Sequence, residues 1–327
     1  MTIVLTVFAV LIGLILALGA SLYLYTWRTA RRIEAAMPPP GRFVDVPGAR
    51  LHVVERGQGP AVLLVHGLSG QLENFGYGMI GPLAEHFRVI AVDRPGAGHS
   101  TRTPGSAADL PAQAAALAAL CDKLGLERPL VVGHSLGGAI ALALAIDHPE
   151  RVGGLALIAP LTHPPKAISP VFQAMTVHSA WLRRLMAWTL VVPMSIRRRE
   201  AVMDIVFGPD PVPDDFPTRG GGLLALRPRH FLAASEDLIG AAHSLPALLH
   251  RYGTLRVPVS VLYGREDRIL DFAEHGEALV AKVPGATLTL VSGGHMLPVT
   301  AIDTSVDFVR DAAARLHVPA PAQAQVA

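Results

Sequence analysis

Leu130-Val131-Val132-Gly133-His134-Ser135-Leu136-Gly137 is the stretch that decides the fold. An apolar run leads straight into a G-x-S-x-G pattern. An Ala/Leu-rich stretch, Ala139 to Asp147, follows and stops at Pro149. The run before the glycine reads as a strand covered on both faces. The stretch after it reads as a helix, so Ser135 falls on a sharp strand-to-helix turn. Such a turn exposes a serine hydroxyl, and only small neighbours such as Gly133 and Gly137 allow it. The pentapeptide alone is weak, since chance supplies roughly 0.12 matches in a chain this rich in glycine. Its context makes it informative.

Outward from Ser135 the same alternation repeats. Ala61–Val65, Val89–Val92, Leu155–Ile158, Val257–Tyr263 and Thr287–Val291 are further strand-like runs, each ending in Gly, Pro, His, Asp or Ser. Arg42–Arg56 reads as a preceding hairpin that turns near Pro47-Gly48. Asp109 is placed to cap a helix through Leu124, with Pro111 early in it and Gly125 just beyond. Phe272–Val283 and Thr304–Leu316 also carry helical patterns. Strands alternating with helices imply an α/β fold with a mostly parallel sheet covered on both faces. From 161 to 250 the rhythm breaks. No strand pattern is present there, and apolar helical stretches carry Trp181, Trp188, Arg183-Arg184 and Arg197-Arg198-Arg199. That segment reads as a helical cap inserted into a core made of 42–160 and 251–316. Basic clusters of this kind are more often a solvated face than a site. An anionic lipid surface is the alternative.

A serine nucleophile needs a base, and the base needs a carboxylate to fix its tautomer. Asp267 follows a later strand and His295 follows the last one, giving the chain order Ser, Asp, His. Each lies at the C-terminal end of a strand, where open parallel sheets build their sites. Asp271 is a rival acid, Asp267 could merely serve its own loop, and His295 is one of 14 histidines. His66-Gly67-Leu68 follows the first long strand. The N–H groups of Leu68 and Leu136 would form an oxyanion hole, with donors typically worth about 2.7–4 kcal/mol each. A tight turn without a role in chemistry is the plainer alternative.

Composition sets the class. The chain has 327 residues, a net charge of +2, 51% apolar residues and 17% charged ones. The balanced charge offers no footprint for nucleic acid, and the apolar content excludes general disorder. One cysteine, Cys121, excludes an intrachain disulfide and a thiolate metal cluster. It reads as a small core residue. Thr2–Trp27 carries no charge and would reach about 39 Å as a helix, enough to span a bilayer. A cleaved signal peptide would want a basic start and a shorter apolar run. The expectation is therefore a single-pass anchor over 1–27, with membrane contact through residues 2–27. Arg28, Arg31 and Arg32 place the body on the cytoplasmic side by the positive-inside rule. Residues 28–41 are expected to be a linker, stiffened by Pro38-Pro39-Pro40. Residues 317–327 are expected to be a flexible tail.

Five pieces in order carry a resemblance to a known family: HGLSG at 66–70, DRPGAGHS at 93–100, GHSLGG at 133–138, YGREDRI at 263–269 and GGH at 293–295. Over residues 42–316 the chain resembles an α/β-hydrolase with an HG oxyanion motif and a helical cap. The resemblance implies an eight-stranded sheet, Ser135 as nucleophile, His295 as base then acid, and Asp267 as its orienter. Residues His66, Gly67, Gly133, His134 and Gly137 would support them. Relatives that dehalogenate or open epoxides carry Asp at the nucleophile position, and this chain has Ser. The expected activity is hydrolysis of a hydrophobic or medium-chain ester, with no metal or organic cofactor. Carbon–carbon bond hydrolysis, perhydrolysis or aminopeptidase activity on the same three residues is the alternative. A membrane-tethered binding protein is a further reading. Oligomeric state is not legible.

Overall fold

The computed structural model describes residues 1–317; most of the expected tail lies outside them. Nine strands form one sheet: β1 Arg42–Val46, β2 Ala49–Arg56, β3 Ala61–Val65, β4 Arg88–Val92, β5 Thr101–Arg102, β6 Leu130–His134, β7 Gly154–Ile158, β8 Val259–Gly264 and β9 Thr287–Val291. The order is β1-β2-β4-β3-β6-β7-β8-β9, with β5 pairing β2. From β4 to β9 every pairing is parallel, while β1, β2 and β5 are antiparallel. The path holds the eight strands expected; the ninth, β5, is two residues long and too short to leave a sequence pattern.

Helices cover both faces. Leu110–Leu124 and Leu136–Asp147 pack on one side and Ile302–Ala314 on the other. The first is punctuated as its sequence implies: Asp109 accepts from the Ala112 N–H at 2.9 Å, and Gly125 takes φ 60° to end it. The second is apolar nearly all round because it is buried nearly all round, Leu136 to Ala145. Of the expected helix Phe272–Val283, residues 272–280 are continuously helical, with a π-helical stretch Ala273–Glu277 running into Ala278–Val280, and it ends three residues early. Cys121 is buried in the core, where desolvation pushes its thiol up to about 12.

Between β7 and β8 the described chain is helical or irregular, ending in the long helix Pro228–Leu249. The N-terminal helix runs from Thr2 to Ala36, which corrects the expected linker: 28–36 is helical and only 37–41 is not. The reason is packing. Thr26, Ala30 and Ile33 repeat at helical spacing and are buried against the body, so the helix is held until the prolines stop it.

Candidate active site

Ser135 stands between β6 and the helix Leu136–Asp147 with φ 53° and ψ −120°, a strained setting for a side-chain-bearing residue. The neighbouring glycines are there because the backbones touch. A Cβ on Gly133 would lie 2.6 Å from the Gly137 carbonyl oxygen, and one on Gly137 would lie 2.1 Å from the Val65 oxygen. A Cβ on Gly67 would lie 2.8 Å from the Ser135 Cβ. The turn after β3 is therefore pressed directly onto the serine, and Leu68 and Leu136 line the same cavity as Ser135.

His295 Nδ1 lies 2.7 Å from Asp267 Oδ2. The other carboxylate oxygen accepts the N–H groups of Ile269 at 2.8 Å and Leu270 at 3.0 Å. Burial opposes ionisation of Asp267. The charge and hydrogen bond of His295, with those two amides, outweigh it and hold the carboxyl below its ordinary range. Asp271, the rival acid, is exposed and accepts the N–H groups of Ala273 and Glu274 instead. Ser135 and His295 line one cavity. Among the described residues no hydrogen bond joins these two side chains, a reach that commonly tightens only with substrate.

Several residues fix this geometry: His134 and His66, expected as supporting residues, and Glu266, Asp210, Arg94, Asp237 and Asp93, which were not singled out as site residues. His134 Nε2 donates to the His295 carbonyl at 3.0 Å, and the two rings lie 4.9 Å apart. Burial, with the charge of His295, lowers the His134 pKa to about 3, so it is a neutral donor tying the serine turn to the histidine loop. Glu266 accepts the Gly293 N–H at 2.7 Å, and Asp210 from the cap accepts that of Gly294 at 2.9 Å. Arg94 is buried behind the Gly67 turn. It donates to the carbonyls of His66 and Gly67, to Gln113, and to Asp237 at 2.7 Å on the helix Pro228–Leu249. His66 accepts the Arg94 backbone N–H, and burial together with the Arg94 charge lowers its pKa to about 3. Asp93 accepts from His52, Leu72 and His99. His66, Asp93, Arg94, His134 and Glu266 lie in the motifs quoted from the sequence, whereas Asp210, Gln113 and Asp237 carried no signal there.

The cavity measures about 640 Å³ and is mainly apolar, with Val171, Phe172, Met175, Phe231, Leu238 and Leu245 in its wall. Of the cap arginines singled out above, Arg199 lines it. Arg183 is instead turned to the carbonyls of Val177 and His178. Among the described residues no cluster of His, Cys, Asp and Glu could hold a metal ion.

Residues 60–301 match the family described as the alpha/beta hydrolase fold, and the chain belongs to that family. It is 31% identical over 236 residues to haloalkane dehalogenase 2 of Mycobacterium tuberculosis, covering 70% of this chain and 79% of that one. It is 30% identical over 272 residues to the dihydrolipoyllysine-residue acetyltransferase component of the acetoin cleaving system of Cupriavidus necator, covering 78% of this chain but 64% of that protein's length. A thermophilic esterase from Thermogutta terrifontis superposes with a TM-score of 0.62 at 26% identity, over 85% of this chain and all of that one.

Proposed function

We propose that this chain is a membrane-anchored serine hydrolase that cleaves carboxylic esters with an apolar acyl part. One observation carries the reading: the strained Ser135 and the Asp267-paired His295 share the wall of one apolar cavity. With His295 Nδ1–H held by Asp267, Nε2 is left to take the Ser135 proton as Oγ attacks the ester carbonyl. The developing oxyanion would be met by the N–H groups of Leu68 and Leu136. His295 then gives its proton to the leaving alcohol, and an acyl-enzyme forms on Ser135. Water loses a proton to His295 and attacks the acyl carbon, and as the bond to Oγ breaks His295 returns that proton to Ser135 and the acid is released.

The serine also argues against dehalogenation, despite the dehalogenase relative. Displacement of a halide by Ser135 would leave an alkyl ether, which water does not cleave. An aspartate would leave a hydrolysable ester. The anchor reading rests on the helix Thr2–Ala36, whose most apolar window has a mean hydropathy of 2.9. The three arginines that follow the apolar run favour a cytoplasmic body.

The test is turnover of p-nitrophenyl esters of increasing chain length by the full chain in non-ionic detergent, beside Ser135→Ala. Turnover lost in the variant, with an optimum at medium or long chains, is expected. Unchanged turnover in Ser135→Ala would overturn the assignment. Faster turnover of a vinylogous diketone than of any ester would move the reaction to carbon–carbon bond hydrolysis. Protease protection of right-side-out and inverted vesicles reads the side on which the body lies.

A further inference from the structure

We propose that the exposed face of the cap is a second membrane-contact surface, resting on an anionic bilayer and passing membrane-borne lipid esters into the cavity at Ser135. This rests on the anchor and ester-hydrolase readings above.

Length makes the first argument. The N-terminal helix is free of the body through Leu18; Gly19 and Leu22 are half-buried and Thr26, Ala30 and Ile33 are buried. The free part, Thr2–Leu18, reaches roughly 25 Å. A bilayer core is about 30 Å thick. The aromatic residues Tyr23, Tyr25 and Trp27, just before the first charge at Arg28, put the boundary in the stretch where the body already packs on the helix. At that level Tyr23 meets Trp188 of the cap, with ring centroids 5.4 Å apart. The cap segment around Trp188 is thus carried to the headgroup layer, and any tilt of the helix brings it closer.

The second argument is what that segment shows to the outside. Trp181 is 72% exposed, Leu185 46% and Leu190 49%, and Leu182, Met194 and Ile196 are exposed beside them in sequence. Arg184, Arg197, Arg198 and Arg199 are exposed in the same segment. Aromatic and leucine side chains interleaved with arginine suit the boundary between headgroups and acyl chains. Arginine near an anionic leaflet gains about fivefold in binding for each residue. Charge therefore favours an anionic bilayer over a second copy of a chain whose own cap is basic.

The third argument is continuity. Ile196 and Arg199 are exposed on this segment and also line the cavity, as does exposed Ile168. Residues that do both mark the cavity rim. An acyl chain leaving the bilayer there would meet apolar wall on its way to Ser135, while Arg199 at the rim would hold an anionic headgroup back.

The experiment uses the full chain in vesicles of phosphatidylcholine, with or without phosphatidylglycerol. Turnover is read for a fluorogenic long-chain glycerolipid ester dispersed in the bilayer and for p-nitrophenyl butyrate in the same vesicles. The double variants are Trp181→Ser/Leu185→Ser and Arg197→Gln/Arg198→Gln, none of them a cavity residue. The first should lower turnover of the bilayer ester about tenfold. The second should remove the stimulation by phosphatidylglycerol, and butyrate turnover should stay within about twofold in both. An equal fall on both esters, or no fall on the bilayer ester, would overturn the proposal. So would a stable dimer in detergent that shields Trp181. Brominated lipid should quench wild-type tryptophan fluorescence more than that of Trp181→Phe, which reads contact without using activity. Wild type that fails to float with vesicles would remove the anchor and this proposal together. Wild type that floats and is quenched but cleaves no ester would remove only the esterase reading.

Discussion

Mild acid is expected to unfold the body of this protein, and four histidines set the scale. His66, His134, His230 and His275 are all buried. Burial is the leading cause of their low pKa values, reinforced by Arg94, His295, Arg227 and His163 respectively. His66 and His134 are held at about 3, and His230 and His275 at about 4, against 6.5 for the free side chain. Below 6.5 the unfolded chain takes up protons that the folded chain refuses. The stability tied to these groups is therefore complete above 6.5 and falls as pH drops toward their folded values. At about pH 5 each group lies about 1.5 pH units below 6.5, which costs about 2 kcal/mol. Four such groups cost about 8 kcal/mol, comparable to the whole stability of a domain, about 5–15 kcal/mol.

His52 runs the other way. Burial opposes its charge, but the hydrogen bond and charge of Asp93 and the Pro40 carbonyl raise its pKa above 6.5. Its contribution is present below 6.5 and lost as pH rises through the folded value, so it adds nothing further in the acid window. Urea unfolding followed by circular dichroism in detergent, between about pH 7.5 and pH 5, reads the effect. Below 6.5 the stability should drop with a slope of about four protons or more, since burial and the Arg227 charge also hold His99 at about 4 and add to the same loss. His230→Phe should take about one proton off that slope, because neither nitrogen of His230 has a hydrogen-bond partner among the described residues. Equal urea midpoints at the two pH values would refute the reasoning.

Three further outcomes follow from the site. Asp267→Asn should cut kcat on p-nitrophenyl esters by about 10⁴-fold through loss of the His295 tautomer, while Asp271→Asn leaves kcat unchanged; similar losses in both would show the wrong acid. Gly67→Ala should lower kcat roughly 10²–10³-fold with little change in KM, because a Cβ cannot fit against Ser135 and the turn bearing Leu68 must move; wild-type kcat would remove Leu68 from the oxyanion site. Arg94→Met should destabilise the fold by about 3–5 kcal/mol, since it leaves buried Asp237 with Arg102 and a long 3.4 Å bond from Gln113 and strips donors from the Gly67 turn. A thermal midpoint within about 2 °C of wild type would contradict that.

Much of the fold was legible because its signals are local. The parallel strands are short apolar runs, and Asp109 and Gly125 bracket one helix by chemistry that acts within a turn. Ser135, Asp267 and His295 stood out because each follows a strand, and a parallel sheet gathers strand ends on one edge. The failures are equally particular. Arg28, Arg31 and Arg32 read as the start of a linker, yet burial of Ala30 and Ile33 on the body keeps that stretch helical. Strand β5 was too short to show a period.

The sequence by itself determined the α/β alternation, the serine turn and the apolar N-terminal helix, because periodicity and turn chemistry act over a few residues. Only the tertiary structure decided what holds the site and where the cap lies. Arg94 meets Asp237 across 143 residues, and His134 meets the His295 carbonyl across 161. Tyr23 of the N-terminal helix finds Trp188 of the cap. Contacts of that kind leave no period and no motif, because they depend on how separately formed elements pack.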